Sequence, residues 1–74
     1  MFTIQVFESK TGEPAYYKKV AVSFKGIFRG FTTDEHTDRN GEVHFDYENG
    51  DGTIFVQGAK VYEGYISGRK TIYI

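Results

Sequence analysis

The sequence predicts an all-β fold, either a sandwich or a small barrel of six or seven strands. Three observations support this. Apolar and polar residues alternate through several short segments, turn-forming residues recur every ~8–12 residues, and no segment has the apolar spacing of a helix over three turns. With 74 residues, the chain has the length of one domain, so we expect a single domain over residues 1–74.

Four segments alternate with a period of two, which indicates strands with one buried face. Their inward residues are predicted to be Phe2, Ile4, Val6, Val20, Val22, Phe24, Ile54, Val56, Ile72 and Ile74. Phe55 then points the opposite way, toward solvent, a neighbouring loop or a partner. Residues 59–66 form a further strand with a kink or bulge at Gly64. Turns are predicted at Ser9–Pro14, Asn49–Gly52 and Ser67–Lys70.

The strongest local signal is a hairpin over Thr32–Tyr47, centred on the sequence Asp-Arg-Asn-Gly at residues 38–41. A three-residue loop, residues 39–41, pairs Asp38 with Glu42 and places Val43 on the apolar face. A two-residue Asn-Gly loop would instead direct three polar side chains toward the core, which is costly. We therefore prefer the three-residue loop.

The preferred hairpin register also suggests a metal site. It places His36 beside His44 on the outer face, flanked by Asp34 and Asp46, and two imidazoles with carboxylates could hold Zn²⁺ or a similar ion. The alternative is an exposed polar face with no ion. We expect no cofactor, and we keep a metal-responsive domain as an alternative function.

Composition argues against several other functions. The chain has no cysteine, so thiolate chemistry is excluded. Ser9, Ser23 and Ser67 have no local nucleophile signature, and both histidines lie together on the predicted hairpin, so we do not expect an enzyme. The net charge of −1 disfavours phosphate binding, although aromatic residues near Lys18 and Lys19 keep single-stranded nucleic acid as a further alternative. No signal peptide or membrane span is visible, which predicts a cytoplasmic protein if the chain is complete.

The order of several short motifs resembles that of a known family. The motifs are Thr-Gly-Glu-Pro at 11–14, Val-x-Val-x-Phe at 20–24, Thr-Asp-Arg-Asn-Gly-Glu-Val at 37–43, Gly-x-Ile-x-Val at 52–56 and Ile-x-Ile at 72–74. Together they resemble the carboxypeptidase regulatory-like, or prealbumin-like (transthyretin-like), β-sandwich domains. The resemblance implies a six- to seven-stranded antiparallel Greek-key sandwich with an immunoglobulin-like topology. It also implies a non-catalytic accessory module.

Two activities found among related domains are not expected here. The prealbumin-like hydroxyisourate hydrolases end in Tyr-Arg-Gly-Ser, whereas this chain ends in Thr-Ile-Tyr-Ile. The related collagen-adhesin repeats form a Lys–Asn or Lys–Asp isopeptide bond, but the last two predicted strands contain neither Asn nor Asp.

We therefore expect a β-sandwich module that binds a protein partner, whose identity the sequence does not give. Binding would use an open edge strand or the aromatic segment at residues 26–31. The candidate partner-binding residues are Phe28, Arg29, Phe31, Tyr62 and Tyr65. The chain itself is expected to be a monomer or a weak edge-strand dimer.

Overall fold

The computed structural model describes residues 1–25 and 30–74. Within those ranges the chain forms seven strands and no helix: β1 (Phe2–Phe7), β2 (Lys19–Phe24), β3 (Glu35–His36), β4 (Glu42–Phe45), β5 (Gly50–Val56), β6 (Ala59–Ile66) and β7 (Gly68–Tyr73). The described residues thus offer no helix long enough to cross a membrane. The predicted all-β class is confirmed.

The strands form two sheets, one of three strands in the order β4-β1-β7 and one of four in the order β3-β2-β5-β6. The chain begins and ends in the three-stranded sheet. It passes between the sheets four times, after β1, β3, β4 and β6. Buried side chains of both sheets form one core.

The expectation that every strand pair is antiparallel was wrong for the first and last strands. β1 and β7 run parallel, with Ile4 opposite Lys70 and Val6 opposite Ile72. Parallel neighbours need a long connection between them, and here all the intervening strands supply it. No local sequence signal reports such a pairing, because its two members stand at opposite ends of the chain.

Nine of the ten residues predicted to point inward from the four alternating segments belong to the core. Its buried hydrophobic members are Phe2, Ile4, Val6, Ala15, Val20, Val22, Phe24, Val43, Phe45, Ile54, Val56, Ile66 and Ile72. One predicted inward residue was wrong: Ile74 lies past the end of β7 and is 36% exposed. Its backbone is nevertheless held, because its amide donates to the Phe7 carbonyl at 2.9 Å.

The loop at residues 39–41 was predicted correctly, but the hairpin around it was wrong. The Asp38 amide donates to the Glu42 carbonyl at 3.0 Å, and Gly41 has a φ of 77°. A Cβ at Gly41 would collide with the Val6 carbonyl oxygen, so the position requires glycine. Beyond the loop the two arms separate, since β3 pairs with β2 and β4 pairs with β1.

Thr37 explains why the arms separate. Its side chain is buried, its hydroxyl donates to the Ala15 carbonyl at 2.6 Å, and the same oxygen accepts from the Lys18 amide at 2.8 Å. These bonds fix the arm before the loop to residues 15–18, on the side of the four-stranded sheet. The expected pairing of His36 with His44 therefore does not form.

The turn predicted at Asn49–Gly52 was also wrong, because Gly50 already begins β5 and pairs with Ile66. The observed turn lies at Gln57 and Gly58, with φ values of 53° and 83°, which is the positive-φ pair of a two-residue hairpin loop. The bulge in β6 falls at Val61, since Lys60 pairs with Phe55 and Tyr62 with Ile54.

Candidate functional site

A recess opens on the outer face of the four-stranded sheet. It has a volume of about 290 Å³ and is lined by Lys19, Ala21, Phe31, Asp34, Phe55 and Gly58. Two phenylalanine rings form its apolar wall, with their centroids 5.9 Å apart and their planes at 35°. We call this feature the Phe31 recess.

The recess exists because a small residue faces outward beside large ones. Ala21 on β2 pairs with Phe55 on β5, and both point away from the core because their neighbours point into it. The Ala21 methyl group leaves open space next to the Phe55 ring. The alternation of inward and outward side chains on β2 and β5 therefore determines which of their residues line the recess.

Phe31 is held in place by its neighbour Thr32. The Thr32 amide donates to the Val22 carbonyl at 2.8 Å, and the buried Thr32 hydroxyl accepts from the Val22 amide at 3.0 Å. Because Thr32 is bound inward, Phe31 points outward and stays 70% exposed. The ring is thus positioned by the fold while most of its surface meets solvent.

Two opposite charges stand at the rim of the recess. Asp34 directly precedes β3, which pairs with β2 on the side away from Phe55, and it lines the recess together with Ala21 and Lys19. Neither the Lys19 ammonium nor the Asp34 carboxylate has an ion-pair partner among residues 1–25 and 30–74. The nearby Lys60, by contrast, has Glu63 at 3.5 Å.

The predicted partner-binding residues lie in different places in the structure. Phe31 lines the recess, and Tyr65 is 55% exposed on the same outer face, where it pairs with Asp51. Tyr62 is half-buried against the core, and its hydroxyl donates to the Tyr65 carbonyl at 3.0 Å. The other two predicted residues, Phe28 and Arg29, lie outside the described residues.

Sequence reasoning missed Ala21, Asp34 and Gly58 as lining residues of a binding recess. The signal that could have found them is a small residue, Ala21, that points outward next to Phe55 and Phe31 in the folded sheet. That signal becomes visible once the pairing of β2 with β5 is known.

The residues proposed for a metal site do not come together. His36 and Asp34 belong to the side of the four-stranded sheet, whereas His44 lies on β4 of the three-stranded sheet and Asp46 follows that strand. His36 stacks on Tyr17 instead, with ring centroids 4.4 Å apart.

A different group of possible ligands lies on the outer face of the three-stranded sheet. One atom each of Asp38, Glu42 and His44 lies within 4.8 Å of the others. However, the Arg69 guanidinium already contacts Glu42 Oε2 at 2.6 Å, and Thr3 Oγ1 lies 2.8 Å from His44 Nδ1. The Arg69 guanidinium therefore competes with any metal ion for the Glu42 carboxylate.

The Asp38 carboxylate in that group stabilises the loop between β3 and β4. Its Oδ1 accepts from the amides of Glu42 and Asn40, both at 2.9 Å. These bonds, the Glu42 amide first, hold the pKa of Asp38 below its ordinary value because they stabilise the charged form. The carboxylate thus closes the loop between β3 and β4.

Comparison with known proteins adds no relative. No protein-family model matches the chain, no curated protein matches it, and no solved structure matches its fold.

Proposed function

We propose that this domain is a non-catalytic binding module that takes an apolar side chain of a protein partner into the Phe31 recess. The observation that carries the proposal is a phenylalanine ring that stays 70% exposed although the fold fixes its position. Aromatic anchors beside an open apolar cavity are typical of the energetic centre of a protein interface. The volume of about 290 Å³ suits one side chain better than a cofactor.

The proposal includes the fold family. A prealbumin-like, carboxypeptidase regulatory-like sandwich is supported by the order of the sequence motifs and by seven strands shared between two sheets. The parallel pairing of β1 with β7 is one departure from the antiparallel arrangement that the resemblance implied.

Insertion into the recess is favoured over strand addition at this place. The edge of β2 next to the recess is already occupied, because Gly30 accepts from the Phe24 amide at 3.0 Å and β3 pairs with Lys19 and Val20. A partner strand would have to displace these bonds. Side-chain insertion requires no such change.

The two alternative functions receive less support. Binding of single-stranded nucleic acid depends on clustered basic side chains, whereas the rim of the recess carries one lysine offset by one aspartate, Lys19 and Asp34. A metal-responsive site through His36 and His44 lacks the geometry, because the two side chains belong to different sheets.

The test is selection of a phage-displayed random peptide library on the immobilised protein. We expect the selected peptides to contain an aromatic or aliphatic anchor and to lose at least tenfold in affinity for Phe31→Ser. Loss of the exposed ring should change the free energy of unfolding by only about 0.5 kcal/mol. Tyr73→Ser is the matched control, because Tyr73 is 65% exposed on the three-stranded sheet. Peptides that bind Phe31→Ser as tightly as the unchanged protein would refute the recess as the binding site.

A further inference from the structure

We propose that the partner segment carries charges of both signs around its apolar anchor, with a carboxylate that pairs with Lys19 and a cation that pairs with Asp34. This inference rests on the proposed function and names the chemistry of its ligand. It starts from the two unpaired charges at the rim of the recess.

Filling the recess takes water away from the charges at its rim. A side chain that fills the recess removes water from whatever lines it, including the Lys19 ammonium and the Asp34 carboxylate. A charge that loses water without gaining a counter-charge opposes binding. A ligand that supplies both counter-charges avoids this cost. Among ligands with an apolar anchor, the rim therefore favours those that carry both charges.

Several other charges on the surface have an ion-pair partner within the chain. Glu42 has Arg69 at 2.6 Å, Glu63 has Lys60 at 3.5 Å, and Lys18 lies 4.0 Å from Glu8. Each of those pairs can be satisfied within the chain. Lys25 and Asp51 also have no ion-pair partner among the described residues, but they do not line the recess. Lys19 and Asp34 differ from them because they are of opposite sign and line the same recess.

The spacing of Lys19 and Asp34 limits where the charges of the ligand can lie. Lys19 lies two residues before Ala21 on the same face of β2, while Asp34 directly precedes the neighbouring strand β3 and lines the recess with Ala21. Two residues along a strand and one strand across give a diagonal of about 8 Å between backbones. An extended peptide covers about 7 Å with two residues. Because side chains two positions apart on an extended peptide share a face, the two ligand charges should lie on opposite sides of the anchor and two residues from it.

The experiment repeats the peptide selection on three proteins: the unchanged chain, Lys19→Glu and Asp34→Lys. We expect peptides selected on the unchanged chain to carry one acidic and one basic residue beside the anchor. Lys19→Glu should select peptides with basic residues on both sides, and Asp34→Lys peptides with acidic residues on both sides. Each mismatched charge should weaken binding by about three- to tenfold at low salt, and less at 0.5 M salt.

A double variant and a control sharpen the test. Lys19→Glu combined with Asp34→Lys should restore the preference for mixed charges. Lys10→Glu changes the net charge of the protein as Lys19→Glu does, but Lys10 is exposed outside the recess and should leave the preference unchanged.

The outcomes separate the inference from the proposed function. Peptides that need Phe31 but show no charge preference, or a preference for a single sign, would overturn the inference and leave the function standing. A shift in preference for Lys10→Glu as large as that for Lys19→Glu would overturn the inference in the same way. Peptides that do not need Phe31 would overturn both.

Discussion

Thr37 shows how one residue decides the course of the chain. Its hydroxyl bonds to two backbone groups of the loop before β2, and it holds the arm before the 39–41 loop away from β4. In the sequence it is an ordinary threonine in a polar stretch. Its burial depends on a loop 19 to 22 positions away, and local patterning carries no information about that contact.

Thr37→Val should destabilise the fold by about 1–3 kcal/mol. Valine has nearly the same shape, so the loss comes from the buried Ala15 carbonyl and the partly buried Lys18 amide, which both lose their partner. Urea unfolding followed by circular dichroism measures the change. Thr33→Val is the control, because Thr33 is exposed and its hydroxyl donates to the exposed Glu35 carboxylate. Equal stability of the two variants would contradict this role of Thr37.

At the scale of elements, the alternation of side chains along a strand can be predicted from the sequence, whereas the pairing of strands cannot. The inward residues of β1, β2 and β5 follow from local chain geometry, because successive side chains of a strand point to opposite faces. The loop at 39–41 follows from the tolerance of Gly41 for positive φ. Local sequence does not determine which strands pair, and the two arms of the expected hairpin were therefore wrongly paired with each other. The predicted metal site depended on that pairing and was wrong for the same reason.

The loop between β3 and β4 makes stability depend on pH through Asp38. Its pKa is lowered in the folded state, so its charged form stabilises the fold above the unfolded carboxyl pKa of about 4. This contribution is lost as the pH falls through the lower, folded pKa. Asp38→Asn keeps an oxygen for both amide bonds but has no charge to lose.

We therefore expect Asp38→Asn to melt below the unchanged protein at pH 7, with the two melting temperatures converging as the pH falls below 4. Thermal unfolding between pH 7 and pH 2 measures the gap. A gap that stays constant over this range would show that the Asp38 charge does not stabilise the loop.

At the scale of the whole molecule, the recess results from contacts that bring distant residues together. Phe31 and Phe55 could each be predicted to be available for a partner, the first from its loop and the second from its strand phase. Their meeting depends on the pairing of β2 with β5 and on the bridge between Ser23 and Phe31. The residues were therefore accessible to sequence reasoning, whereas the recess they form was not.

Filling the recess decides whether it is the binding site. Ala21→Phe adds a ring where the partner's side chain would lie, on an outward position of β2 that does not belong to the core. The decisive measurement is a titration of isotope-labelled protein with the best selected peptide, followed by amide chemical shifts. The unchanged chain should shift around residues 19–21, 31–34 and 55–58, while Ala21→Phe should stay folded and bind at least tenfold more weakly. Unchanged affinity of Ala21→Phe, or shifts confined to the three-stranded sheet, would contradict a binding function for the Phe31 recess.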